Sequence, residues 1–181
     1  MTTTETVATV PKTLEGFINW EPNDGYKYEW NDGELIRFTG MKRKHLRIIQ
    51  TLNLLFDRTK AKQSKDQLIA EQDVQLTGIQ IRRPDVAYFT DEQIKTSDDL
   101  GPIPSFCIEV VSSNDQINDI KLKLKEYFKH GVRVVWLIMP EQDMVEVYTS
   151  VKDVIICLDD DHCSAKPVLD DFEISVKDLL S

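Results

Sequence analysis

Two carboxylates stand where carboxylates are costly. Asp85 follows Arg83-Pro84 at the head of Val86-Ala87-Tyr88-Phe89, and Glu109 interrupts Phe106-Cys107-Ile108-Glu109-Val110-Val111. Both runs read as buried strands. An uncompensated charge in such a strand costs on the order of several kcal/mol. Two acids on two strands point to one shared compensator. A divalent cation, which takes carboxylate oxygens, meets that need. The pair is the expected active centre.

Further candidates surround it. The segment after Glu109 repeats apolar residues at helical spacing (Ile117, Ile120, Leu124, Tyr127, Phe128), with Gly131 as its stop. On a helical wheel Lys123 falls on the shoulder of this stripe, close to the sheet and near the level of Glu109. The alternative for Lys123 is an ordinary surface pair with Asp119 four residues earlier. Glu29 lies in Tyr26-Lys27-Tyr28-Glu29-Trp30, where the three aromatics share one face and Glu29 takes the other, which is either solvent or a cleft. His45 follows Lys42-Arg43-Lys44 at a helix start; these bases contact phosphate or are a solvated helix end. Asp159-Asp160-Asp161-His162 has metal-binding residue types but no apolar frame, and reads as a solvated turn.

The elements that must hold these residues follow from periodicity. Residues 13–20 form a short capped helix before Pro22. Residues 26–38 form a hairpin around Asn31-Asp32-Gly33. Residues 41–60 carry one helical stripe: Leu46, Ile49, Leu52, Leu55 and Phe56. Residues 67–76 read as a strand or strand pair, and 79–89 as a run containing the Pro84-Asp85 step. Strand 106–111, the helix opened by a Ser113–Gln116 capping box, and strand 132–139 make a β-α-β unit whose strands are parallel. Residues 144–149 and 154–158 add antiparallel strands.

Composition bounds the function. A chain of 181 residues, 41% hydrophobic, is enough for one domain, expected over residues 13–181 behind a loose tail at 1–12. It has no apolar run near the roughly 18 residues of a membrane span and no signal-peptide pattern. Three cysteines without metal-type spacing point away from disulfides. A cytoplasmic location is the expectation. The net charge of −9 opposes nonspecific nucleic-acid binding through a basic surface. It leaves a metal-dependent nuclease open, because ligand carboxylates count as negative until the ion arrives.

The ordered set of Glu29-Trp30-Asn31-Asp32-Gly33-Glu34, His45, Pro84-Asp85, Glu109-Val110-Val111, Asp119-x-x-x-Lys123-x-x-x-Tyr127 and Gly131-Val132 running into Trp136 resembles the Uma-type family of restriction endonucleases, a branch of the PD-(D/E)xK nuclease superfamily. The resemblance covers most of residues 13–148. It implies an α/β fold with a restriction-endonuclease-like core, a mixed central sheet flanked by helices, to which the sequence adds N- and C-terminal antiparallel hairpins. It also implies metal-dependent hydrolysis of DNA. Asp85, Glu109 and the Val110 carbonyl would hold Mg²⁺ or Mn²⁺. Lys123 would orient water or offset charge on the phosphate, and Glu29 would be an extra ligand or base. His45 and Tyr127 are further candidates. The superfamily's usual lysine falls at Val111, and the resemblance implies that it has migrated to Lys123. The proline usual after the turn is absent at Ser113-Asn114. The competing class is a catalytically inactive nuclease-like fold used for binding or oligomerisation; a homodimer is expected on general grounds.

Overall fold

A computed structural model describes residues 10–39, 43–96, 102–112 and 115–181. The first helix, α1 (Leu14–Ile18), is capped by the Thr13 hydroxyl, which accepts from the Gly16 N–H at 3.0 Å. Strands β1 (Tyr26–Asn31) and β2 (Glu34–Thr39) follow as the expected hairpin. Its two turn residues, Asp32 (φ 47°) and Gly33 (φ 87°), both take the left-handed conformation that matches hairpin twist. Next come α2 (Arg43–Phe56), α3 (Lys60–Gln63), β3 (Gln67–Ala70), β4 (Val74–Thr77), β5 (Gln80–Arg82), β6 (Val86–Phe89) and α4 (Asp91–Thr96). The β-α-β unit is β7 (Phe106–Val110), α5 (Ile117–Lys129) and β8 (Val134–Met139), and β7 and β8 are parallel as expected. Strands β9 (Met144–Tyr148), β10 (Val154–Leu158), β11 (His162–Ser164) and β12 (Glu173–Ser175) precede α6 (Val176–Leu180).

Two principal sheets result. One has the order β2-β1-β5-β4; the other is mixed, with the order β10-β9-β8-β7-β6-β3. Strands β11 and β12 form a small third sheet. One face of the mixed sheet packs on α2 and α6 through Ile48, Leu52, Phe56, Trp136, Phe172 and Leu179. The other face shares a core with α5 and β4, built from Val74, Ala87, Cys107, Leu124, Tyr127 and Val135. Helix α5 thus joins both sheets.

Three expectations change. The run 79–89 is not one strand: it leaves the first sheet at Arg82 and enters the second at Val86. Pro84 has no N–H to give a ladder, and the break leaves Asp85 at the mouth of β6 rather than inside a strand. Leu46 is 53% exposed, while Ile48 is buried; the buried stripe of α2 runs through Ile48, Ile49, Leu52 and Phe56, and Leu46 lies roughly 100° around the helix from it. Ile117 is 63% exposed, since it occupies the first position of α5, ahead of the turns that meet the core. The capping box at Ser113 lies outside the described residues, as do Lys42 and residues 1–9. Gln116 occupies the N-cap without a side-chain cap bond.

Among the described residues no helix is long and apolar enough to cross a membrane.

Candidate active site

Register brings the two expected acids together. Strands β6 and β7 pair Tyr88 with Phe106, Ala87 with Cys107 and Val86 with Ile108. One further step sets Asp85 across from Glu109, on the face that α5 covers. Directly opposed residues have Cβ atoms about 4.5–5.5 Å apart. The Val110 N–H donates to Asp85 Oδ2 at 2.6 Å and fixes that carboxylate against the end of β7.

A second register supplies Glu29. Strand β1 pairs Trp30 with Ile81 and Asn31 with Gln80, so one step on places Glu29 opposite Arg82. Tyr28 and Trp30 of β1 pack away with Phe17 and Ile81, and Glu29 faces inward, 1% exposed. Its Oε2 accepts from Arg82 at 3.1 Å, and its Oε1 accepts from the Arg83 N–H at 3.1 Å. Arg82, itself 1% exposed, also grips Glu126 through Nε (2.8 Å) and a terminal nitrogen (2.7 Å). Gln80 donates to the other Glu126 oxygen at 3.0 Å.

Helix α5 ties these to the acids. Glu126 is two residues from both Leu124 and Phe128, roughly 200° around the helix, and so faces the first sheet while they face the second. Lys123 lies between the two faces. Its amine stands 2.8 Å from Glu29 Oε1 and 3.5 Å from Glu109 Oε2. One turn on, the Tyr127 hydroxyl donates to Glu109 Oε1 at 2.6 Å. Glu126, Arg82, Glu29, Lys123, Glu109 and Tyr127 form one continuous chain of charge-assisted contacts across two sheets.

The electrostatics follow from burial. Glu109 is pushed up to about 7 by desolvation; the Lys123 amine pulls it back, while the charges on Asp85 and Glu29 push it higher. Desolvation also holds Asp85 above the usual carboxylate range, against the Val110 N–H and Lys123. In Glu29 the same burial is overcome by Lys123 and Arg82, and its pKa is lowered. Burial disfavours the charge on Lys123, but Glu109, Glu29 and Asp85 together outweigh it, so its pKa is raised and the amine stays cationic.

These groups line a cavity of about 350 Å³. Its wall also carries Lys27, Arg37, His45, Arg83 and Asp115. His45 is half-buried. Arg83 makes a two-pronged bond to Asp73 (2.6 and 2.7 Å), and Lys27 pairs with Glu71. Among the described residues no three His, Cys, Asp or Glu side chains converge in a metal-holding group. That includes Asp159 to His162: Asp159 to Asp161 form the expected turn, in which Asp161 bonds back to Leu158 through its N–H and its carboxylate, and His162 opens β11.

A family model described as "Putative restriction endonuclease" (Uma2) matches residues 14–177. The chain belongs to the Uma2 family. No curated protein matches it. A crystal structure described as "a putative nuclease belonging to DUF820" from Anabaena variabilis superposes with a TM-score of 0.79 at 21% identity, covering 94% of this chain and 98% of that one. The likeness to that structure is one of fold.

In this Uma2 chain the cavity gathers all six expected side chains: Asp85, Glu109, Lys123, Glu29, Tyr127 and His45. Val110 lines it too and anchors Asp85. The spacing argument for Lys123 agrees with the geometry, since the amine reaches Glu109. Glu29, expected as an extra ligand or base, has both oxygens engaged by cationic or N–H donors. Periodicity and motif spacing do not single out Arg82 or Glu126. The one signal for Arg82 is its place beside Ile81 in the short strand-like run Gln80-Ile81-Arg82. Glu126 has none, because a charge opposite an apolar stripe reads as solvated.

Proposed function

We propose that this protein is a metal-dependent endonuclease of the PD-(D/E)xK type that hydrolyses phosphodiester bonds of DNA. One observation carries the reading: two desolvated carboxylates from adjacent chain segments share a cavity with a lysine amine that reaches one of them. The donor set fits Mg²⁺ or Mn²⁺. Both acids offer hard oxygens, their mutual repulsion raises Glu109, and ions of this class bind through one or two carboxylates and keep several waters. Asp85, Glu109 and the Val110 carbonyl would hold the ion. When bound, such an ion polarises the phosphate and acidifies a water ligand.

The chain's own groups have distinct tasks. Lys123 is held cationic, so it serves as a charge and donor rather than a base. It offsets the negative charge that grows on the phosphate oxygens in the transition state. Glu29 acts through Lys123: clamped by Arg82 and the Arg83 N–H, it fixes the amine above Glu109. Tyr127 orients Glu109 by donating to one of its oxygens and leaving the second toward the amine. Arg37 on the cavity wall supplies positive charge for a phosphate backbone within a chain of net charge −9, whereas Lys27 and Arg83 are already paired with Glu71 and Asp73.

The test is plasmid nicking by purified protein with Mg²⁺ or Mn²⁺. Cleavage should vanish with chelator and in folded Asp85→Ala and Glu109→Ala variants. Folded wild-type protein that leaves duplex, single-stranded and modified DNA intact in both metals would refute the enzyme reading. It would favour the binding module.

A further inference from the structure

A run of exposed apolar residues lies at the last strand of the mixed sheet and the turn before it, outside the cavity lining. Val151, Val154, Ile155, Ile156 and Leu158 are 42% to 66% exposed. Strand β10 is the sheet's terminal strand and pairs with β9 alone among the described residues. Monomeric proteins blunt such an edge with a proline, a charge or a bulge. Val154 to Leu158 contains no proline or charge and pairs with β9 residue for residue.

The free backbone groups of this edge can be identified. The Thr149 N–H donates to the Asp153 carbonyl at 3.1 Å, one step beyond the β9–β10 register. Bonded and non-bonded pairs alternate along an antiparallel ladder. Ile155 and Cys157 therefore turn their backbone groups to β9, and Val154, Ile156 and Leu158 turn theirs outward. Asp161 takes both groups of Leu158: its N–H donates to the Leu158 carbonyl (2.8 Å), and its carboxylate accepts from the Leu158 N–H (3.1 Å). Val154 and Ile156 remain, each with an outward N–H and C=O that no described residue occupies.

We propose that β10 is a docking edge for a second copy of this chain, paired antiparallel about a two-fold axis at Ile155. In that register Val154 of each copy exchanges both backbone bonds with Ile156 of the other. Ile155, the most exposed of the group, meets its own counterpart at the close, non-bonded position of the ladder. The two six-stranded sheets become one. A second copy fits because the edge is self-complementary under a two-fold axis. Its centre, Val154 to Leu158, is uncharged, so the pairing sets no like charges against each other there; Lys152-Asp153 and Asp159-Asp160 flank it. Elsewhere the net charge of −9 keeps copies apart.

Sedimentation velocity of the whole chain over a dilution series tests this. Wild type should sediment at twice the 20.9 kDa chain mass. Ile155→Lys should be a monomer with an unchanged unfolding midpoint, while Ile79→Lys, which alters an exposed residue in the turn between β4 and β5, should stay dimeric. Hydrogen exchange gives a readout that needs no variant: the Val154 and Ile156 amides should be protected in the dimer and lose protection on dilution. A wild-type monomer throughout, a dimer that survives Ile155→Lys, unprotected Val154 and Ile156 amides in a dimer, or a different protein copurifying on this edge would each overturn the proposal.

Discussion

Glu109 makes the metal-free protein pay for its site, and the cost can be measured. Its carboxyl is raised from 4.5 to about 7. The sign is fixed by linkage: between these values the folded chain holds a proton that the unfolded chain has released, so stability falls as pH rises. Below about 4.5 the contribution is fully present; above about 7 it is lost. At 1.36 kcal/mol per pH unit, the whole span amounts to on the order of 3 kcal/mol. Glu109→Gln removes the charge and keeps an acceptor for the Tyr127 hydroxyl. Urea unfolding in chelator should find the variant more stable than wild type at pH 8.5, by up to about 3 kcal/mol, with the gap narrowing to about 1.4 kcal/mol at pH 5.5 and closing below about pH 4.5. Adding Mn²⁺ should then stabilise wild type and leave the variant unmoved. A variant less stable than wild type at pH 8.5, or a gap independent of pH, would show that burial does not dominate Glu109.

Other consequences are as direct. Arg82→Met strands Glu29 and Glu126 as buried charges, and breaking such a buried pair costs about 3–5 kcal/mol; denaturant unfolding would show it, and the added variant Glu126→Gln should recover part of the loss. Tyr127→Phe removes a hydrogen bond that lowers the Glu109 pKa, so the pH-dependent fall in stability should move to higher pH, and an unmoved profile would count against that bond. Nicking by Glu29→Gln should fall through a weakened hold on Lys123 while Mn²⁺ affinity is retained; lost metal binding would instead make Glu29 a ligand.

The sequence was most legible where one face of an element is apolar and the other is not. The aromatics Tyr26, Tyr28 and Trp30 gave the strand and put Glu29 on its other face, but whether that face meets solvent or a cleft is settled only by the layer that covers it. The stripe Ile120, Leu124, Tyr127 gave α5 and, by angle, the position of Lys123. Legibility failed where a second layer intervenes. Glu126 looks solvated until the first sheet is known to cover that side of α5. In run 79–89 Pro84 suits the start of a strand, since it has no N–H for a ladder; what periodicity does not tell is that the halves before and after it belong to different sheets. That handover leaves Arg82 buried at the end of the first sheet, bonded to Glu29, and puts Asp85 on the cavity wall at the head of the second. Leu46 and Ile117 fail for a related reason: periodicity assigns a face to a helix but does not say how far the neighbouring layer extends along it.

The position of the lysine is explained by the same layering. On β7, alternation puts Cys107, Glu109 and position 111 on one face, so a lysine at 111 would share the side of Glu109. Here Val111 packs against the core beneath α5, and α5 delivers an amine to that face from above through Lys123. If the reaction requires the charge rather than its point of attachment, the attachment can be exchanged. Lys123→Met alone should lower nicking about 10²–10³-fold, the usual consequence of losing one preorganised donor. Adding Val111→Lys should recover at least about tenfold of that, although not all, since the new amine would lack the 2.8 Å contact with Glu29 that holds the native one. A double variant no faster than Lys123→Met, with unfolding midpoints showing that both are intact, would mean that the amine acts only from the helix and through its bond to Glu29.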